Sequence, residues 1–150
     1  MSEQKFLKYF IFDDKKDLKL PPYRVPTDPD LVKRITHVDE DTIEGATFYN
    51  EMMWILPGFG KDYTGDAPNF FEEHTHNFGV LMSFYVLNYF MNKDIKAARK
   101  KYHLGAEIEF TIDGEAHIIT ESFTAFIPPG VKHGPLTIRN VTRPIAHMIA

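Results

Sequence analysis

No cysteine occurs anywhere in the 150 residues. Disulfides, thiolate metal sites and thiol nucleophiles are therefore excluded, and a bound metal must take nitrogen or oxygen ligands. Basic residues are in slight deficit, with 17 Lys and Arg against 21 Asp and Glu for a formal charge of −4. Phosphate neutralisation calls for a basic excess, so no nucleic-acid partner is expected. Long apolar runs are also missing. No stretch approaches the roughly 20 residues of a membrane-crossing helix, and the early apolar residues are broken up by Lys5, Lys8, Asp13, Asp14 and Lys15. No membrane partner is expected, and the cytoplasm is the expected compartment.

What is present fits one globular domain. The chain is 43% hydrophobic and 25% charged, and a domain of this length buries about 68–70% of its unfolded surface. Residues 18–30 carry Pro21, Pro22, Pro26 and Pro29, which forbids a regular helix and favours an extended arm lying on the surface or on a neighbouring subunit. A turn of helix is expected over 30–34, then strands over 35–38 and 46–56, the second stopped by Pro57-Gly58. Residues 70–76 and 81–89 also read as strands. Residues 92–102, where Lys93, Lys96, Arg99, Lys100 and Lys101 surround Ile95, Ala97 and Ala98, read as a short exposed helix with a solvated basic face.

The last third alternates most clearly. Residues 106–112 and 115–120 flank Asp113-Gly114, a strong hairpin signal, and strands follow over 123–127, 136–140 and 144–148. Many short strands with one short helix predict an all-β barrel or two-sheet jelly roll. The aromatics Phe70, Phe71, Phe78, Phe84, Tyr85, Tyr89, Phe110 and Phe126 are assigned mainly to its core, with some available to line a pocket.

Chemistry is suggested by His74-Thr75-His76 and, much later, Pro128-Pro129-Gly130-Val131-Lys132-His133. Residues two apart on a strand share a face, whereas on a helix they lie about 200° apart, so the pair fits strand geometry. With a third imidazole delivered by a tight turn, they make three-quarters of a metal site.

In this order and with a hairpin between them, the two motifs resemble the H-x-H and P-x-G-x-x-H motifs of the cupin family. The likeness extends over residues 44–150, leaving 1–43 as an N-terminal arm and first strand that packs on the barrel or across a dimer. Gly105-Ala106-Glu107-Ile108-Glu109-Phe110 and the run from Ile127 to Leu136 resemble the corresponding stretches in a group of small single-domain bacterial cupins. The resemblance implies a double-stranded β-helix barrel, a homodimer, and a divalent metal held by His74, His76 and His133. The metal is one of Fe, Mn, Ni, Cu or Zn, which imidazole ligands do not separate.

Three positions depart from the family pattern. Val80 stands where a ligating glutamate is usual, Thr137 where an asparagine is expected and Ser122 where a glycine is. Among nearby carboxylates, Glu109 is taken as the substitute fourth ligand ahead of Glu72, Glu73 and Glu107. His117 and His147 are candidate outer-sphere donors. A three-imidazole ion keeps its full +2 charge and suits an oxygen-bearing or anionic small molecule. The family resemblance then implies an oxidoreductase of dioxygenase type. The alternative is a non-catalytic barrel that binds a small ligand at a vestigial or silent metal site.

Overall fold

The computed structural model describes residues 7–12, 20–61, 69–86 and 103–150. They contain nine strands: β1 (Val32–Val38), β2 (Asn50–Ile55), β3 (Asn69–Phe71), β4 (Val80–Tyr85), β5 (His103–Ile112), β6 (Glu115–Glu121), β7 (Phe123–Ile127), β8 (His133–Arg139) and β9 (Ile145–Ile149). One sheet has the order β1-β2-β9-β4-β7 and the other β3-β8-β5-β6.

The architecture follows from one antiparallel ribbon rolled on itself. Its tip is the β5–β6 hairpin, where Asp113 and Gly114 both take positive φ (48° and 82°), as a two-residue type I′ turn requires. Counting away from that tip, β4 pairs with β7, β3 with β8 and β2 with β9. Rolling the ribbon brings β9 beside β4 and β8 beside β5. Successive ribbon segments thus alternate between two facing sheets, which is the jelly-roll order expected of the sequence.

The core is made by the period-2 alternation of those strands. In β2, Met53 and Ile55 point inward while Met52 and Trp54 remain exposed; in β4, Val80, Met82 and Phe84 are buried. They meet Ile108 and Phe110 of β5 and Leu136 and Ile138 of β8. Each fully buried Phe, Met, Leu or Ile side chain contributes about 1.5–3 kcal/mol of transfer free energy. Phe78, Tyr85 and Phe126, assigned above to the core, are instead exposed, because they fall outside the strands or on their outward parity.

Several boundaries differ from expectation. The helical turn over 30–34 is absent: Leu31 and Val32 donate to the Asp28 carbonyl at 3.0 and 2.9 Å, and β1 starts at once, with Val32 opposite Ile55. Strand pairing overrides the weak helical preference there. β8 begins three residues earlier than its apolar run, at His133. The helix expected over 92–102, with its basic cluster, and Tyr89 lie outside the described residues. Among the described residues no helix is long and apolar enough to cross a membrane.

The described part of the arm lies along its own barrel. Glu72 donates to the Tyr23 carbonyl at 2.7 Å, Val25 to the Phe70 carbonyl at 3.3 Å, and Arg24 forms a bridge with Phe71. The arm thus adds a short segment beside β3 and brings Tyr23 and Arg24 to the mouth of the roll.

Candidate metal centre

The two histidine motifs are paired backbones. His74 and His133 exchange both main-chain hydrogen bonds at 2.9 Å, and Gly130 donates to the His76 carbonyl at 2.8 Å. Directly opposed residues share a face, and His76 lies on the same face two residues on. Pro128–Val131 closes as a turn, with Val131 donating to the Pro128 carbonyl and Gly130 at φ 79°, the left-handed position that a type II turn reserves for glycine. That turn delivers His133 opposite His74.

The three imidazoles converge, with one ligand nitrogen from each within 4.8 Å of the others. Their protons are placed by the backbone. His74 Nδ1 donates to the Glu72 carbonyl at 2.7 Å and His133 Nδ1 to the Val131 carbonyl at 3.0 Å, which leaves both Nε2 atoms as lone-pair donors. His133 Nε2 is buried without a hydrogen-bond partner. Burial pushes the His74 pKa down to about 4, with the nearby His133, His76 and Arg24 adding to it, and burial also lowers that of His76. At neutral pH both are therefore uncharged, the form that binds cations.

Packing fixes the rings. Tyr23 lies flat on His74 (centroids 3.7 Å apart, planes at 4°), and Phe78 stacks on His76 at 4.7 Å. Phe71 meets both His74 and His133 edge-on. Gly134 is part of the same device: at φ 98°, a Cβ there would sit 2.5 Å from the Glu72 carbonyl oxygen, the acceptor that orients His74. Only glycine lets β8 approach so closely.

No carboxylate belongs to this group among the described residues. Glu109 sits on the outward parity of β5, opposite Thr137, and pairs with Arg139 at 2.8 Å. Glu107 faces the same Arg139. Glu72, placed on the histidine face by parity, accepts instead from Asn69 at 3.0 Å, because a bend at Glu73 breaks the alternation between Phe71 and His74. Glu73 pairs with Lys132. Val80 is buried at the head of β4 and lines the adjoining cavity. His117 is exposed near Glu115 on β6, and His147 is fully buried beneath Phe84 and Phe70; neither touches the three imidazoles.

The cavity beside His76 has a volume of about 570 Å³, and Phe48, Tyr49, Phe78 and Val80 give it apolar walls. Behind it, around His74, lies a buried polar cluster not anticipated from the sequence. Glu51 is fully buried; Arg34 Nε takes one of its oxygens at 2.6 Å and the Tyr49 hydroxyl the other at 2.5 Å. Burial raises the Glu51 pKa, but Arg24, Tyr49 and Arg34 more than offset it and hold the carboxyl below its usual range. Burial and Glu51 together push the Tyr49 phenol up. One signal for Glu51 was available: it shares the inward parity of Met53 and Ile55. Nothing in the spacing tied Tyr23 or Arg24 to the histidines.

No protein-family model matches the chain, and no curated protein matches it. Among solved structures it is similar to KdgF from a Halomonas species, at 11% identity and TM-score 0.41 over 83% of this chain and 82% of that one. It is also similar to a predicted oxalate decarboxylase from Thermotoga maritima, at 16% identity and TM-score 0.42 over 79% and 76%. The third likeness is to an RmlC-like cupin from Shewanella frigidimarina, at 12% identity and TM-score 0.37 over 93% of each chain. The chain itself is a two-sheet jelly roll, as its own strand order shows.

Proposed function

We propose that the chain is a metal-binding cupin whose His74, His76 and His133 hold one divalent ion and present it to a small oxygen-bearing molecule. The observation that carries this reading is the orientation of the ring nitrogens. Two of the three imidazoles spend Nδ1–H on main-chain carbonyls and keep Nε2 bare, and the ligand atoms lie within 4.8 Å of one another.

When bound, the ion would supply a Lewis acid of undiminished +2 charge, since no carboxylate accompanies the histidines among the described residues. The chain's own part is positional. The Glu72 and Val131 carbonyls fix two tautomers, Tyr23 and Phe78 hold two rings by stacking, and the apolar walls of the cavity take the body of the ligand. The reaction proposed, from the cupin resemblance, is oxidation with dioxygen as co-substrate, and oxygen uptake by the metal-loaded protein with candidate substrates tests it. The buried Val80 at the cavity wall favours a second reading, a barrel that binds its ligand without turnover.

Metal content decides the first step. Protein purified without an affinity tag should carry or take up close to one equivalent of a divalent ion. His74→Ala and His133→Ala should each lose it: loss of an outer-sphere partner alone costs about 10–100-fold in affinity, and a ligand should cost more. Wild type that neither carries nor gains Fe²⁺, Mn²⁺, Ni²⁺, Cu²⁺ or Zn²⁺ would overturn the metal reading.

A further inference from the structure

The outer faces of the two sheets differ in kind. On the sheet β3-β8-β5-β6 the outward residues include Glu107, Glu109 and Arg139, joined in ion pairs, as a solvated face does. On the other sheet Met52 lies opposite Met148 and Trp54 opposite Ala146. Met148 in turn lies opposite Ser83 and Ala146 opposite Tyr85, and on β7 Phe126 faces Leu81 and Thr124 faces Ser83. All of these are on the outward parity, because Met53, Ile55, Met82 and Phe84 between them are buried. None of the outward residues of β2, β9, β4 and β7 is charged.

The face is also open. Met52, Trp54, Leu81, Tyr85 and Phe126 are exposed, from 38% for Met52 to 64% for Phe126. At about 150–250 Å² for each full side chain they leave on the order of 450 Å² uncovered, the size at which an apolar patch marks a contact site. Polar residues border it: on β1 Lys33 stands beside Trp54 and Thr36 beside Met52. An apolar centre within a polar rim is the anatomy of a protein interface.

We infer that this face is the contact between two copies of the chain, packed sheet to sheet about a two-fold axis. Charge selects a second copy: an uncharged surface meets itself without setting like charges opposite one another, which the face bearing Glu107 and Glu109 cannot do. The area agrees. A stable interface buries about 800 Å² on each partner, of which about 56–58% is apolar, or roughly 450 Å². The contact also reaches the cavity beside His76. The Phe126 ring lies against Gly79, where a Cβ would come within 2.7 Å of it, and Gly79 lines that cavity. The partner copy therefore braces one cavity wall, whether or not the histidines hold a metal.

Trp54 is the single tryptophan of the chain and reports on the face directly. Sedimentation equilibrium of the untagged full chain at about 50 µM should give the mass of two chains, with a Kd of about 1 µM or below. On dilution to about 0.1 µM the mass should fall, while Trp54 emission shifts to the red and its quenching by iodide rises. Leu81→Lys and Phe126→Lys each set two like charges across the axis and should raise Kd about 100-fold or more. Their Trp54 should be quenched as in the dissociated wild type. Ile118→Lys, on the outward face of β6 opposite Glu109, should leave Kd unchanged. The wild-type dilution decides the matter if a lysine variant does not fold. A chain that is monomeric at 50 µM, a dimer whose Trp54 is as open to iodide as in the dissociated chain, or a dimer indifferent to both folded lysine variants would overturn the inference.

Discussion

His133 and His147 are both buried, and each donates its Nδ1 proton to a main-chain carbonyl, of Val131 and Ser83 respectively, leaving Nε2 without a partner. Their surroundings then diverge. Around His133 stand His74 and His76, with ring centroids 4.3 and 5.3 Å away. Around His147 stand aromatic hydrocarbons, with Phe84 stacked at 4.1 Å and Phe70 edge-on at 5.7 Å. An unmet buried nitrogen costs about 1–3 kcal/mol in either place. At His133 a cation shared with two neighbours can recover that cost; at His147 ring packing must carry it. Burial and tautomer alone do not mark a site, and convergence of bare nitrogens does.

The strongest way to break this contrast is to disturb the convergence without touching an imidazole. Gly134→Ala puts a methyl group 2.5 Å from the Glu72 oxygen and 2.8 Å from its carbon, at φ 98°. Both the strain and the clash fall on backbone, so a loss of about 3–5 kcal/mol in urea unfolding is expected. Among molecules that remain folded, metal affinity should fall about 10–100-fold, because the carbonyl that aims His74 has moved. The environment of His147, on β9 of the other sheet, should be preserved; a metal affinity equal to wild type in folded Gly134→Ala would show that the carbonyl is not needed.

The opposite perturbation is protonation of His147. Burial drives its pKa down to about 4, with Arg24 pushing the same way against the Ser83 hydrogen bond. Between that value and the ordinary 6.5, the unfolded chain holds the extra proton, so stability falls as pH falls through this window and is flat above it. The slope attributable to His147 is about 1.4 kcal/mol per pH unit, or roughly 3 kcal/mol over the window. His147→Phe should remove that component and make the profile of urea midpoints between pH 6.5 and 4 shallower, leaving the part due to His74 and His76, with metal binding at pH 7 unchanged. Identical slopes in the two proteins would mean that His147 does not titrate as a buried group.

The contrast also explains what could be read in advance. The hairpin at Asp113-Gly114 and the alternation of β5 and β6 are local, so the rolled ribbon was legible, and so was the histidine set, because both motifs sit on paired backbone flanked by a glycine turn. The face of Glu72 was not. Parity is reliable only along an unbroken strand, and the bend at Glu73 intervenes before His74. For Glu109 the alternation of β5 held, but its outward phase was fixed by Ile108 and Phe110, which argued against a ligand. Tyr23 and Arg24 were invisible for another reason: an arm with no periodicity gives no register, and only hydrogen bonds to Phe70 and Glu72 place it.

Glu109→Gln is accordingly the smallest perturbation and the control for the other two. The carboxylate is on the outer face of the sheet, paired with an Arg139 that also has Glu107 at 3.4 Å. Partly exposed pairs of this kind are worth about 0–1 kcal/mol, and a second carboxylate remains to hold the guanidinium. Stability in urea should shift by no more than about 0.5 kcal/mol, and metal affinity should not change within error. A loss of metal in Glu109→Gln comparable with that in His133→Ala would require β5 to turn its outward face to the histidines. It would also undo the inward packing of Phe110 against Phe71 and His133, on which the convergence of the three imidazoles depends.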